Sequence, residues 1–371
     1  MSAQEETNLS GSSGTRPGDT AQPRSKAIHL ERVTDHPLNA ETPLKALTTP
    51  VTPTDLFYVR CNFAIPDIDT GKWRLTVDGA VEESLVVSME ELHQLPQRTI
   101  VVTLECAGNG RKQMRPVPKG TPWDLGAVST ASFTGVSLRD LLKRVQLADD
   151  VCEVLFRGAD GGELDDGRTI SFERSLPLDA ALQPDVLLAW AMNDEPLTRE
   201  HGAPLRVVVP GWYGMASVKW LTAIHLLTEP FEGYFQTERY VYRQKQGTPD
   251  GTPVTKARVR SIIASPNDGA ELPIAPVEIK GTAWSGHGPV TRVEVSTDGG
   301  TSWTDADLGT PASEYAAAPW RYEWLPSASG TYRLLSRATD AAGNRQPMEQ
   351  VWNAKGYGNN MVQRVEVHVT E

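Results

Sequence analysis

The sequence predicts an α+β unit over residues 51–250 and an all-β sandwich over 251–371, preceded by a flexible or extended segment at 1–50. Three observations predict it. A chain of 371 residues exceeds what one ordinary core fills, so two domains are expected. Strand-like and helical patterns alternate in its middle, up to the stretch QKQGTPDGTP, a linker by composition. Beyond that stretch only short alternating runs separated by Gly turns follow.

The elements follow in order. Residues 1–26 are rich in Ser, Gly, Thr and Gln with few large apolar side chains, too few to offset the entropy of ordering. The Thr- and Pro-dense ETPLKALTTPVTPTDLFYVR leads into the fold. WRLTVDGAV and VCEVLFRGADG read as strands closed by Gly turns. SMEELHQLP reads as a short helix, with a Ser cap and Glu three residues on at capping-box spacing. SLRDLLKRVQL repeats that logic, with Leu138, Leu141, Leu142 and Val145 on one face. APLRVVVPGW is an apolar β-branched strand stopped by Pro210 and Gly211. In the second half VEIKGTAW, TRVEVSTDGGTSW, WRYEWL, TYRLLSRATDAAGN and QRVEVHV alternate Val, Ile, Tyr and Trp with polar residues, and DGG and AGN make turns. Several short strands at regular spacing indicate a β-sandwich. On sequence pattern alone its role is structural or dimerising, since fold by itself assigns no function.

Charge narrows the function classes. Lys and Arg number 36 against 47 Asp and Glu, a formal net charge of −11, which repels nucleic acid. Any anion site must therefore be a local basic pocket. Cys61, Cys106 and Cys152 are the three cysteines, without CxxC or CxxCH spacing, so neither structural zinc, thioredoxin-like redox chemistry nor covalent haem is suggested. The polar, acidic start lacks a secretory pattern, and no uninterrupted apolar run is long enough to span a bilayer. A cytoplasmic protein without membrane or nucleic-acid partners is expected.

In TLECAGNGRK the apolar run ends at Glu105, and Cys106 precedes a turn forced by Gly108, Asn109 and Gly110. That position presents a side chain rather than burying it in an element. The residue types leave three roles open: inert packing, a soft metal ligand, or a nucleophile.

CAGNGRKQM followed by GTPWDLGAVSTASFTGVSLRDLL closely resembles the cysteine segment of the sulfite oxidase family of molybdenum enzymes. DEPLTREHGAPLRVVVPGWYGMASVKWL resembles its pterin-binding stretch. GTAWSGHGPVTRVEVSTDGGTSW and WNAKGYGNNMVQRVEV resemble its carboxyl-terminal dimerisation domain of immunoglobulin type. The resemblance implies a fold of two parts: an α+β molybdopterin-binding domain and an immunoglobulin-like sandwich. It implies molybdenum bound by molybdopterin, with the Cys106 sulfur as metal ligand, and oxygen-atom transfer that oxidises sulfite to sulfate. It assigns Arg60, Arg111 and Lys355 to the substrate anion, Trp123 to the pocket wall, and Tyr240 as the active-site tyrosine, with Tyr242 as the competing register. It assigns Asn62, His201, Arg206 and Lys219 to the cofactor. Neither haem nor flavin is expected, so electrons would pass to an external acceptor such as a cytochrome or oxygen, and a homodimer is implied.

Three positions depart from the animal members of that family. Gly110 replaces one of two adjacent arginines, Lys355 stands where a third substrate arginine is found, and Ala216 stands where an arginine grips the pterin. Lysine keeps the charge and loses the planar fork, which loosens substrate choice more than cofactor choice. Nitrate or sulfoxide reduction on the same cofactor is one alternative expectation, and a non-catalytic binding protein is another.

Overall fold

The computed structural model describes residues 28–244 and 251–371. The first unit is built mainly from strands. One five-stranded sheet runs in the order Leu85–Val87, Leu75–Gly79, Leu221–Leu227, Glu153–Glu163, Thr169–Pro177. Within it only Leu75–Gly79 and Leu221–Leu227 pair in parallel. A second sheet pairs Gln97–Glu105 with Val128–Ser137 and continues through Leu187–Met192, which also carries Arg206–Val208. Buried Val, Leu, Ile and Phe from both sheets form a shared core around Leu75, Val77, Val154, Phe156 and Ile224.

The α+β expectation holds with a shift of weight: the helices are single turns, Met89–His93, Leu138–Leu142 and Leu178–Ala181. SMEELH forms its capping box, Ser88 Oγ accepting from the Glu91 amide and Glu91 reaching back to the Ser88 amide. SLRDLLKRVQL differs. Ser137 makes no capping bond, and its hydroxyl is buried without a partner among the described residues. The helix ends at Leu142 rather than Val145, because Arg144 and Val145 bond back only three residues and Leu147 then bridges to Val81.

Residues 28–50 are built into the fold, with Leu44–Thr48 packed on the second unit. Glu31–Thr34 pairs with Asn39–Glu41, which pairs with Val59–Arg60, and Ala46 and Leu47 are buried. Residues 1–27 of the expected flexible segment, and 245–250 of the linker, lie outside the described residues.

The second unit is the expected sandwich. A four-stranded sheet (Arg260–Ser265, Val277–Trp284, Ala318–Trp324, Asp307–Leu308) faces a five-stranded one ordered Ala270–Pro273, Arg364–Thr370, Gly330–Asp340, Val290–Ser296, Thr304–Asp305. Arg364–Thr370 alternates strictly, with Val365, Val367 and Val369 buried, as a strand with one wet face must. Ile262, Trp284 and Ala317 belong to the core of the first unit instead, so the two units share apolar packing at their boundary. Among the described residues no helix is long and apolar enough to cross a membrane.

Candidate active site

Cys106 continues the strand Gln97–Glu105 by one bond, its amide donating to Ala127 O at 2.8 Å. The chain then doubles back. The Asn109 amide donates to Cys106 O at 2.9 Å, Gly110 takes a left-handed φ of 79°, and Arg111–Gln113 makes one tight turn. The structure gives the reason for glycine at these positions. A Cβ on Gly108 would lie 2.7 Å from Arg111 Nη1, and one on Gly110 would lie 2.6 Å from Arg260 Nη2. The turn makes room for two guanidinium groups.

A cavity opens over Cys106. Of the expected residues, Arg60, Asn62, Cys106, His201, Arg206, Lys219 and Tyr240 line it. Arg60, on the short strand Val59–Arg60, donates to Asn39 Oδ1 at 3.1 Å and to Asn62 Oδ1, which also accepts from Tyr240 Oη at 3.3 Å. Tyr242 lies apart, with the Arg258 guanidinium 4.7 Å over its ring, so the competing register does not reach the cavity.

Arg206 leaves its strand to donate to His201 O at 3.1 Å and Ser217 O at 3.2 Å. Lys219 Nζ donates to Glu200 O at 2.6 Å and rests 4.1 Å over the Trp220 ring. Burial pulls Arg206 down to about 10, still a cation at neutral pH. Burial, with Lys219 and Arg206 nearby, lowers His201 to about 3, so its imidazole is neutral. Burial raises the Cys106 thiol, while Arg60, the Gly108 amide and Arg111 favour the thiolate.

Arg111, Trp123 and Lys355 do not line this cavity. Trp123 is 1 % exposed and packs in the same apolar cluster as Cys106, Phe57 and Tyr58. Arg111 is buried behind the turn, donating from Nη1 to Thr121 O at 2.6 Å and from Nε to Lys355 O at 3.0 Å. Lys355 therefore meets Arg111 through its carbonyl, and burial together with Arg239 and Arg243 lowers its amine.

Sequence reasoning missed four residues. Asp160 lines the cavity with Oδ1 buried and unpartnered among the described residues; burial raises it to about 6. Its signal was an acid inside the apolar run VLFRGAD, at the register shift of Glu153–Glu163. Tyr357, 3 % exposed, packs tilted with its ring 5.3 Å from that of Tyr240 and lies 5.1 Å beneath the Arg111 guanidinium. Arg174 is buried 5.9 Å from the Tyr240 ring. Arg239 immediately precedes Tyr240 and donates no hydrogen bond among the described residues.

The donor set defines what fits. Arg60, Arg206 and Lys219 face one carboxylate, Asp160, so the cavity is cationic. The orphan Asp160 oxygen calls for a ligand bearing N–H or O–H donors besides its negative charge. Among the described residues no cluster of three or more His, Cys, Asp or Glu could hold a metal, so a metal at Cys106 must arrive with ligands of its own. An anionic pterin carrying its metal meets these requirements.

Comparison with known proteins agrees. Residues 62–235 match the oxidoreductase molybdopterin binding domain, and residues 252–370 the Mo-co oxidoreductase dimerisation domain. The chain is 37 % identical over 357 residues to the mitochondrial sulfite oxidase of Mus musculus, covering 90 % of this chain and 64 % of that protein. It is 33 % identical over 380 residues to the sulfite oxidase of Arabidopsis thaliana, covering 94 % of this chain and 96 % of that one. The chain thus spans less than two thirds of the mouse relative and nearly all of the plant one. Among solved structures, the sulfane dehydrogenase SoxCD from Paracoccus pantotrophus superposes with a TM-score of 0.79 at 27 % identity, over 95 % of this chain and 93 % of that one. With its two matched domains in this order and a thiol turned into a cationic cavity, this chain belongs to the sulfite oxidase family of molybdopterin-dependent oxidoreductases.

Proposed function

We propose that the protein oxidises sulfite to sulfate, with Cys106 as the protein's ligand to molybdenum. The net reaction consumes one sulfite and one water and releases sulfate, two protons and two electrons, the electrons passing to an external acceptor such as a cytochrome or oxygen. The observation that carries this reading is the joint presentation of Cys106 and Arg60 to one cationic cavity. When bound, the molybdenum–molybdopterin group supplies two-electron oxygen-atom transfer, the step no side chain here can perform.

The chain's own residues bind and orient. Arg206, buried, and Lys219, half-buried, hold the anionic part of the cofactor, and neutral His201 offers a ring nitrogen. Asp160 and Asn62 accept hydrogen bonds from its ring donors. Arg60 grips the substrate oxyanion with a charge-assisted, planar fork. Tyr240, held by Asn62 at 3.3 Å, keeps a hydroxyl beside that fork to donate to a substrate oxygen. Arg111, Tyr357 and Lys355 close the site behind the cysteine turn, and Trp123 keeps water out of that wall. Residues 51–250 form the catalytic unit, 251–371 mediate a homodimer, and the location is cytoplasmic.

Molybdenum content of the purified protein, followed by sulfite-dependent reduction of a dye acceptor, tests the reading. Stoichiometric metal with sulfite turnover is expected. Protein without molybdenum, or a nitrate-reduction rate exceeding sulfite oxidation, overturns it.

A further inference from the structure

Glu105, the residue before Cys106, is almost fully buried and meets Arg260 of the sandwich at 3.1 Å, with side-chain exposures of 3 % and 2 %. Glu105 Oε1 also accepts from Asn109 Nδ2 at 3.0 Å, and Oε2 accepts from Trp284 Nε1 at 2.9 Å. Arg260 Nη1 donates again to Asn109 O at 3.2 Å, and Asn359 Nδ2 donates to Gly110 O at 2.8 Å. The cysteine turn is thus clasped by three residues of the second unit: Arg260, Trp284 and Asn359. The cation next to the turn comes from 155 residues away, in the space a side chain at Gly110 would take.

A buried ion pair is a poor stabiliser, because desolvation offsets most of its attraction. Here Arg260 Nε is also left buried without a partner among the described residues. Stability therefore does not explain the pair. Its geometry does: Glu105 is adjacent to the thiol, and both of its oxygens are occupied from outside its own strand.

We infer that Glu105 and Arg260 are positioning residues through which the sandwich fixes the direction of the Cys106 sulfur. The inference rests on Cys106 being the metal ligand for its meaning in catalysis, but its geometric content stands without the cofactor. The pair holds the turn from 105 to 110 against rotation, so the sulfur keeps one orientation whether or not a metal is bound.

The test compares Glu105→Gln, Arg260→Gln, their double variant, and Trp284→Phe, which deletes one hydrogen bond and keeps both charges. In cofactor-free protein, iodoacetamide labelling of Cys106 is followed on its own peptide by mass spectrometry. Each single charge variant should label at least about tenfold faster, the double variant should return to within about threefold of the parent, and Trp284→Phe should lie between, since a half-removed pair is worse than a neutral amide pair. In metal-loaded protein, X-ray absorption should show fewer sulfur ligands per molybdenum in the single variants, with kcat lowered and KM held. If a single variant cannot be isolated folded, the double variant and Trp284→Phe carry the comparison. Labelling and sulfur count unchanged in every variant, even with a lower Tm, would overturn the inference, as would a double variant no better than the worse single. Absence of molybdenum from the parent protein would instead refute the proposed function and leave the labelling result intact.

Discussion

The two sides of Cys106 are assembled differently. On one side Arg206, His201 and Lys219 come from a single fold unit, their guanidinium and amine groups tied to nearby carbonyls of the same segment. On the other, Arg111, Tyr240, Tyr357 and Lys355 join only where the loop 353–360 of the sandwich docks. There Arg111 bonds Lys355 O, Gly358 N bonds Ala107 O at 2.7 Å, and Tyr357 packs against Tyr240. On the proposed function, the difference teaches that the two sides are separable: the cofactor side is local to one unit, whereas the other is composed across a domain boundary and can be retuned by changing one loop.

Cys106→Ser strikes the point where both sides meet. It should lower kcat by more than about a thousandfold while Tm stays near that of the parent, because oxygen is a poor match for a soft metal site. Steady-state rates and a melting curve check this. Arg206→Gln should break the local side alone: molybdenum per protein should fall roughly tenfold or more, the cost of losing a buried charge-assisted contact. Metal analysis reads it, and unchanged metal content would remove Arg206 from the cofactor site. Arg60→Gln should leave metal content intact and raise the KM for sulfite by about 30-fold, with kcat changed far less. A fall in kcat at constant KM would give Arg60 a part in the chemical step.

The smallest effect lies behind the turn. Glu41 Oε1 accepts from the Asp124 amide at 2.6 Å, and burial raises its carboxyl from 4.5 to about 8. A raised carboxyl means the folded chain binds the extra proton. The contribution of this group is therefore full below pH 4.5 and is lost as pH rises through about 8. Glu41→Gln should flatten that slope and raise stability at pH 9 by about 2 kcal/mol, measured by denaturant unfolding across pH.

What was legible in the sequence was local. The capping box at Ser88 and the alternation of Arg364–Thr370 depend on neighbours within a few residues, and both formed as expected. Ser137 carried a similar pattern, yet it is fully buried and its hydroxyl caps nothing, because tertiary burial overrode a local motif. The Cys106 turn was legible from Gly108 and Gly110, but its reason was not. The groups that need the space, Arg111 and above all Arg260, are placed by folding rather than by spacing. Tyr357 lay inside WNAKGYGNN, and Arg239 stood beside Tyr240, with nothing in either stretch to show that both would turn toward the same guanidinium cluster. Asp160 was hidden by its setting in an apolar strand, where an acid reads as an outward-facing residue of the alternation.

The strand Asn39–Glu41 bears on how the protein can be dissected. Asn39 Oδ1 receives both Arg60 Nη1 and the Cys61 amide at 3.1 Å, and this pairing lies upstream of the segment matched by the molybdopterin-domain family. A fragment begun at residue 62 would keep the thiol and the cations Arg206 and Lys219 while discarding Arg60 together with the strand that aims it. Such a truncation could load metal and still be inert, and its silence would report a missing hand rather than a faulty heart.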